Sequence, residues 1–294
     1  MPTRPALPDS AQVRRAFDRA APTYERSAWV AREVELRMAD KLQYLKVAPK
    51  RVLDAGSGAG SAHGLLRARY PVADIVELDL SLAMLRRARS QRRLGERLSA
   101  LRRGPARHWV CADFARVPLR NGAVDMVWSN LALAWSPEPL ATLGELHRVL
   151  APGGALMFST YGPDTLKELR DAFCAADAAA HVDSFIDMHD LGDMLVAAGF
   201  DAPVMEMERL GVAYADVDAL ARDLKSSGQT AASAARRRGL TTPRAWRRMR
   251  ERYEAQRGDG RLPVTVEVVY GHAWRGERGT TDDGRHVVRF QRGR

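Results

Sequence analysis

The stretch Arg51–Ser61, RVLDAGSGAGS, constrains this chain more than any other: an apolar run closes on Asp54 and turns at once through Gly56, Gly58 and Gly60. Absent side chains at alternate positions let the backbone bend sharply and let a ligand approach it. A dinucleotide loop needs G-x-G-x-x-G, and its third glycine would fall at position 61, where this chain has serine. The turn therefore suits the mouth of a strand–helix unit without requiring a pyrophosphate. Taken alone, it fits an ordinary tight connection equally well.

The surrounding pattern narrows the choice. Short β-rich runs recur at Arg51–Asp54, Asp74–Leu78, His108–Cys111, Val124–Trp128 and Ala155–Ser159, with helical segments between them. Strands alternating with helices imply βαβ units and an α/β fold with a parallel sheet covered on both faces. Upstream, a helix starts after Asp9-Ser10, breaks at Pro22 and resumes through Val30, Val34, Met38 and Leu42 at helical spacing. Downstream, Thr165-Leu-Lys-Glu168 has capping-box spacing and predicts a helix toward Ala179. A further helix over Asp190–Ala198 stops at Gly199, and Pro203–Leu210 reads as a strand. The block Asp216–Gln256 is polar and helix-like, and LPVTVEVVYGHAW (Leu262–Trp274) then returns to the sheet. The expected organisation is an N-terminal helical extension over 1–48, an α/β core over 49–215, a helical insertion over 216–261, the last core strand at 262–274 and a mobile tail over 275–294.

Polar residues stand where such a sheet binds ligands, at the carboxyl ends of its strands. Asp79, followed by Leu80 in VELDLS, ends the second strand, where a carboxylate can accept hydrogen bonds from both ribose hydroxyls; Asp79 or Ser81 can equally cap the next helix. Asp113 ends the third strand and could accept from an adenine amino group, with Phe114 beside it as a stacking or packing surface. Ser129-Asn130 ends the fourth. The expected cofactor-binding set is Asp54, Gly56, Gly58, Gly60, Asp79, Leu80, Asp113, Phe114, Ser129 and Asn130.

The net charge of +10, with arginines crowding Arg86–Arg107 and Arg236–Arg252, suits an acidic partner. Nucleic acid is not expected, because no zinc-finger, helix-turn-helix or aromatic ribonucleoprotein motif accompanies the charge. Cys111 and Cys174 are too few for a disulfide framework and lack paired metal-ligand spacing, and His63, His147, His181, His189 and His272 share none either, so no metal is expected. No run approaches the ~18 apolar residues of a membrane span, and Met1–Gln12 carries no signal-like apolar core. The expected location is the cytoplasm.

From Val52 to Ser159 the sequence resembles the class I S-adenosylmethionine-dependent methyltransferases, with LHRVLAPGGALMFST (Leu146–Thr160) similar to that family's Pro-Gly-Gly turn before strand five. The resemblance implies a Rossmann-like, mostly parallel seven-stranded sheet whose antiparallel seventh strand is Leu262–Trp274, and S-adenosyl-L-methionine as cofactor. Methyltransferases of DNA and protein amines carry an Asn/Asp-Pro-Pro-aromatic motif after strand four. Ser129-Asn130-Leu131-Ala132 stands there instead, which disfavours an amine acceptor.

The segments AFDRAAPTYE (Ala16–Glu25), SNLALAW (Ser129–Trp135), TYGPDTLKELRDAF (Thr160–Phe173), FIDMHDLGDMLVAAGF (Phe185–Phe200), DLKSSG (Asp223–Gly228), RGL (Arg238–Leu240) and EVVYGHAW (Glu267–Trp274) resemble the malonyl-acyl-carrier-protein O-methyltransferases of biotin synthesis, the BioC family. The chain departs from that pattern at Gly228-Gln229-Thr230 and at Ala134. The resemblance implies methylation of the free carboxylate of malonyl-acyl carrier protein, or malonyl-CoA, to the methyl ester that starts pimeloyl and biotin synthesis. A carboxylate is already ionised at neutral pH, so this reaction needs no general base. Tyr24 and Arg238 are the candidate residues for gripping the acceptor, since a guanidinium pairs both carboxylate oxygens. The N-terminal helices and the block Asp216–Gln256 are expected to form a lid that excludes water. Carrier proteins are acidic, so the basic surface would steer the encounter. Two other readings share some of these residues: the related arginine-hydroxylating assembly factor of respiratory complex I, which resembles the same SNL…W and DLG segments, and a non-catalytic or nucleic-acid-binding role.

Overall fold

The computed structural model describes residues 7–91, 104–177, 179–236 and 239–276. Arg238 and nearly all of the expected mobile tail lie outside them. Strands β1 (Arg51–Ala55), β2 (Asp74–Asp79), β3 (Arg107–Cys111), β4 (Val124–Ser129), β5 (Leu150–Tyr161), β6 (Asp201–Tyr214) and β7 (Leu262–Trp274) form one sheet in the order β3-β2-β1-β4-β5-β7-β6. Strands β1 to β5 pair in parallel, and β7 runs antiparallel to both β5 and β6. This is the seven-stranded class I methyltransferase arrangement.

Strand periodicity divides the core into two layers, because successive side chains leave a strand on opposite faces. Val52, Ile75, Met126 and Trp128 pack in one apolar cluster, whereas their neighbours Leu53, Val76 and Val127 pack in the other. Helix α3 (Trp29–Lys41) and helix α4 (Ala62–Arg69) cover the first face. Helix α6 (Pro139–Val149) and helix α8 (Met188–Ala197) cover the second. Helix α5 (Leu82–Ser90) follows β2, and α7 (Lys167–Cys174) follows β5. Among the described residues, no helix is long and apolar enough to cross a membrane.

The capping box expected at Thr165–Glu168 does not form. Leu166 has φ +57° and α7 begins only at Lys167. The Thr165 hydroxyl donates to the Glu267 carbonyl (2.9 Å) and accepts from the Glu267 N–H (3.1 Å), while Glu168 accepts from the Thr265 N–H (2.9 Å). Tertiary pairing with β7 has taken the groups a local cap would have used. The Pro-Gly-Gly turn also differs from expectation, lying inside β5 as a bulge: Val124 pairs with Leu150, and the next pair is Met126 with Ala155.

The helices outside the sheet lie together. Asp9 caps α1 (Ser10–Ala20) by accepting from the N–H groups of Ala11 and Gln12, and α2 (Tyr24–Ser27) follows the break at Pro22. The insertion contains two helices, α9 (Val217–Ser226) and α10 (Pro243–Glu254). The chain between them returns to the N-terminus, with the Asp9 N–H on the Ala232 carbonyl (2.8 Å) and the Ala234 N–H on the Leu7 carbonyl (3.1 Å). The Thr23 hydroxyl donates to the Ser226 carbonyl (2.9 Å), and a Cβ at Gly228 would meet the Phe17 ring at 2.8 Å. Extension and insertion therefore form one cover, built from two distant parts of the chain.

Candidate active site

The glycine turn is fixed to the end of β2. Gly56 has φ +80°, and its N–H and that of Ser57 both donate to the Leu78 carbonyl (2.8 and 3.0 Å). A Cβ at Gly56 would stand 2.2 Å from the Ala132 Cβ. The Gly58 N–H donates to Asp79 Oδ2 at 2.8 Å, and Asp79 Oδ1 accepts from the Ser81 N–H at 2.7 Å. Asp79 thus braces the loop, and Ser81 caps α5 by accepting from the Met84 N–H (3.2 Å). Gly60 faces elsewhere: a Cβ there would meet Arg107 Nη2 at 2.7 Å and Ala88 at 3.0 Å.

Two adjoining spaces lie at the carboxyl edge of the sheet, where open α/β sheets bind their ligands. One, of about 720 Å³, is lined by Gly58, Asp79, Leu80, Asp113 and Phe114, together with Phe17 and Tyr24 of the cover. The other, of about 530 Å³, is lined by Asp54, Ser57, Arg32 and Glu35. They meet at Tyr24, Ala31, Gly56 and Asn130. Asn130 is held there by its Nδ2, which donates to the Ala31 carbonyl (2.9 Å), and by its Oδ1, which accepts from the Ser159 hydroxyl (2.8 Å). Ser129 lies apart from both spaces and ties β4 to β1 through its hydroxyl on the Ala55 carbonyl (2.9 Å). Of the residues expected to hold a cofactor, Asp54, Gly56, Gly58, Asp79, Leu80, Asp113, Phe114 and Asn130 surround this cleft; Gly60 and Ser129 support it from behind.

The cleft concentrates carboxyl groups that burial has pushed toward the neutral form. Desolvation raises Asp54 well above the ordinary carboxylate range, and Glu77, Glu35 and Asp79 raise it further. Its buried Oδ2 has no hydrogen-bond partner. Glu35, only 5% exposed, is pushed up to about 7 by burial, against the opposing hydrogen bond from the Ser61 hydroxyl (3.0 Å) and the charge of Arg32. Asp79 is pushed up to about 6 by burial, against the N–H groups of Ser81 and Gly58. Burial and these same carboxylates hold the Tyr24 hydroxyl protonated. Three desolvated carboxyls around one cleft favour a ligand that brings positive charge.

A third space, of about 1110 Å³, extends beneath the cover and shares Trp135, Tyr161 and Gln229 with the larger part of the cleft. Its walls are largely apolar, from Leu169, Val182, Phe185, Val264 and Val266, and no lysine or arginine is among its described lining residues. Phe17 stands edge-on to both Tyr24 (6.3 Å between ring centres) and Trp135 (5.5 Å), closing the junction with an aromatic wall.

Sequence reasoning missed Glu35, Arg32, Tyr161 and Trp135 as cleft residues. A signal existed for Glu35, which falls four residues after Ala31 and three before Met38 on the buried stripe of α3. A carboxylate on such a stripe is rare without a purpose. Tyr161 carried none, since an aromatic residue closing a strand reads as core.

Residues 53–158 match the family described as methyltransferase domain. The chain is 54% identical to the malonyl-[acyl-carrier protein] O-methyltransferase of Laribacter hongkongensis, with 96% of each chain covered, and 47% identical to the protein of that name from Gallionella capsiferriformans, also with 96% of each covered. It is 41% identical to the one from Legionella pneumophila, with 93% of each covered. Among solved structures, the YcgJ protein of Bacillus subtilis shares the fold at a TM-score of 0.57 and 13% identity, covering 82% of this chain and 98% of its own. The [4+2]-cyclase SpnF does so at 0.57 and 18%, covering 92% and 97%.

Proposed function

Because this chain belongs to the malonyl-[acyl-carrier protein] O-methyltransferase family, we propose that it methylates the free carboxylate of malonyl-acyl carrier protein, using S-adenosyl-L-methionine, to give the methyl ester. The observation that carries the reading is the junction of a glycine-loop cleft, rich in buried carboxyls, with an apolar cavity under a two-part cover. Relatives at this identity bear the methyltransferase name, so the hydroxylase alternative is not favoured. The pathway role is the first step toward pimeloyl and biotin, in the cytoplasm.

The residues fit the donor. Asp79 can accept from the ribose hydroxyls through the lone pairs its loop contacts leave free, and Asp113 with Phe114 suits the adenine edge and face. The partnerless Asp54 Oδ2, with Glu35 close by, suits an ammonium group, and Arg32 on the same wall suits a carboxylate. When bound, the cofactor supplies an electrophilic methyl group on a sulfonium. The chain's own part is to hold the acceptor oxygen in line and to keep water out, which is worth on the order of 7–11 kcal/mol of barrier. Tyr24 stands at the meeting point of both parts of the cleft, with its ring 3.6 Å from the Cβ position at Gly58, well placed to orient the acceptor. Arg238, the other candidate, lies outside the described residues. On α10, Arg244, Arg247 and Arg252 are exposed, supplying positive surface for an acidic carrier protein.

Incubation with malonyl-acyl carrier protein and S-adenosyl-L-methionine tests the proposal. It predicts a mass gain of one methylene on the carrier's arm and release of S-adenosylhomocysteine. Absence of both, on malonyl carrier and on malonyl-CoA alike, refutes it.

A further inference from the structure

Apart from Tyr24, no described residue has yet been placed against the malonyl carboxylate. The cavity that adjoins the donor cleft has no lysine or arginine among its described lining residues, and its two acidic groups are already occupied. Asp183 accepts from the N–H groups of Ala232 (2.8 Å) and Ser233 (2.9 Å), and Asp223 accepts from the Tyr214 hydroxyl (2.5 Å) and Trp29 Nε1 (3.1 Å). What the cavity does contain is unspent hydrogen-bond donors.

Tyr161 closes β5 and is 3% exposed, and its O–H proton finds no acceptor within the chain; the Gln229 side chain beside it acts as a donor toward the phenol oxygen, which lowers the pKa. Thr230 Oγ1, in the same cavity, is likewise buried without a partner. A buried hydroxyl left unsatisfied costs about 1–3 kcal/mol, so folding alone gives no reason to keep it. Its position gives one. Tyr161 lines both the donor cleft and the cavity, at the boundary any methyl acceptor must reach. Burial keeps the phenol protonated, hence a donor, with Tyr24 nearby acting in the same direction.

We propose that the Tyr161 hydroxyl, together with that of Thr230, binds one oxygen of the malonyl carboxylate and leaves the other oxygen directed at the methyl donor. This rests on the carboxyl-methylation reading above. Neutral donors suit the chemistry: they satisfy the carboxylate without neutralising the charge that makes it a nucleophile. They also discriminate, because an acyl arm that lacks the carboxylate leaves the buried donors unpaired, the arrangement by which sites reject ligands most strongly.

The test compares Tyr161→Phe and Thr230→Val with the unaltered chain, measuring equilibrium binding of malonyl-carrier and acetyl-carrier protein in the presence of S-adenosylhomocysteine. For Tyr161→Phe, malonyl binding is expected to weaken about 10- to 100-fold, the scale of a lost hydrogen bond to a charged group, and acetyl binding to stay the same. Thr230→Val shows the same selective loss, to a smaller degree. Because the Tyr161 O–H proton has no acceptor in the chain, the melting temperature of Tyr161→Phe is expected to change little. Unchanged malonyl binding, or equal loss for both acyl groups, overturns the assignment while carboxyl methylation stands. If the unaltered chain fails to methylate malonyl carrier, the functional reading falls, and this assignment with it.

Discussion

Replacing Glu35 by glutamine separates what the cleft costs in stability from what it gains in binding. The unfolded side chain titrates near 4.5, whereas burial in the folded chain raises it to about 7. Below the lower value the group is protonated in both states and carries no penalty. As the pH climbs toward 7, the folded chain holds a proton the unfolded chain has released, so stability falls with rising pH. Above 7 the penalty is complete, and about 2.5 units at 1.36 kcal/mol each amounts to about 3 kcal/mol. Glutamine keeps the acceptor for the Ser61 hydroxyl and removes the charge. Glu35→Gln is therefore expected to be more stable than the unaltered chain by about 3 kcal/mol at pH 8, or roughly 6 °C in melting temperature, and to match it near pH 4.5. At the same time its affinity for S-adenosyl-L-methionine falls about tenfold or more through loss of charge beside the ammonium site. Calorimetric melting across that pH range, together with titration of the donor at pH 8, reads both effects. A stability difference that does not grow with pH, or a Glu35→Gln variant less stable at pH 8, refutes the reasoning.

Gly56→Ala places a Cβ 2.2 Å from that of Ala132 at a positive φ of +80°, so it is expected to abolish measurable donor binding and to lower stability by about 2 kcal/mol, read by titration and denaturant unfolding. Reversing the charge of two exposed residues of α10, Arg247→Glu with Arg252→Glu, is expected to lower kcat/KM for malonyl-acyl carrier protein about tenfold at low salt and to flatten its salt dependence. Turnover of a small malonyl thioester without the carrier would be unchanged, and equal loss on both substrates contradicts a docking role.

Most of the sheet was legible because its signals are local. Alternation of apolar runs with helices located the strands, and the rule that such sheets bind at their carboxyl edges pointed to Asp79 and Asp113, which line the cleft. The failures share one physical origin, which is competition from residues distant in sequence. The Thr165–Glu168 spacing promised a cap, but β7 lies close enough for Glu267 and Thr265 to claim both side chains. Ser129 stands back from the cleft, because its hydroxyl donates to the Ala55 carbonyl of β1. Gly60 needs its missing Cβ for Arg107 and Ala88 rather than for the cleft. Tyr161 and Glu35 acquire meaning only once the cover brings α3 and the segment around Gln229 over the strand edge.

A methyl group placed on a carboxylate oxygen forms an ester, and an ester is labile to mild alkali whereas an N- or C-methyl group is not. With donor labelled in its methyl group and malonyl-acyl carrier protein as acceptor, label is expected on the malonyl arm in a form that mild base releases as volatile methanol. Label that survives base, on nitrogen or carbon, would contradict carboxyl methylation.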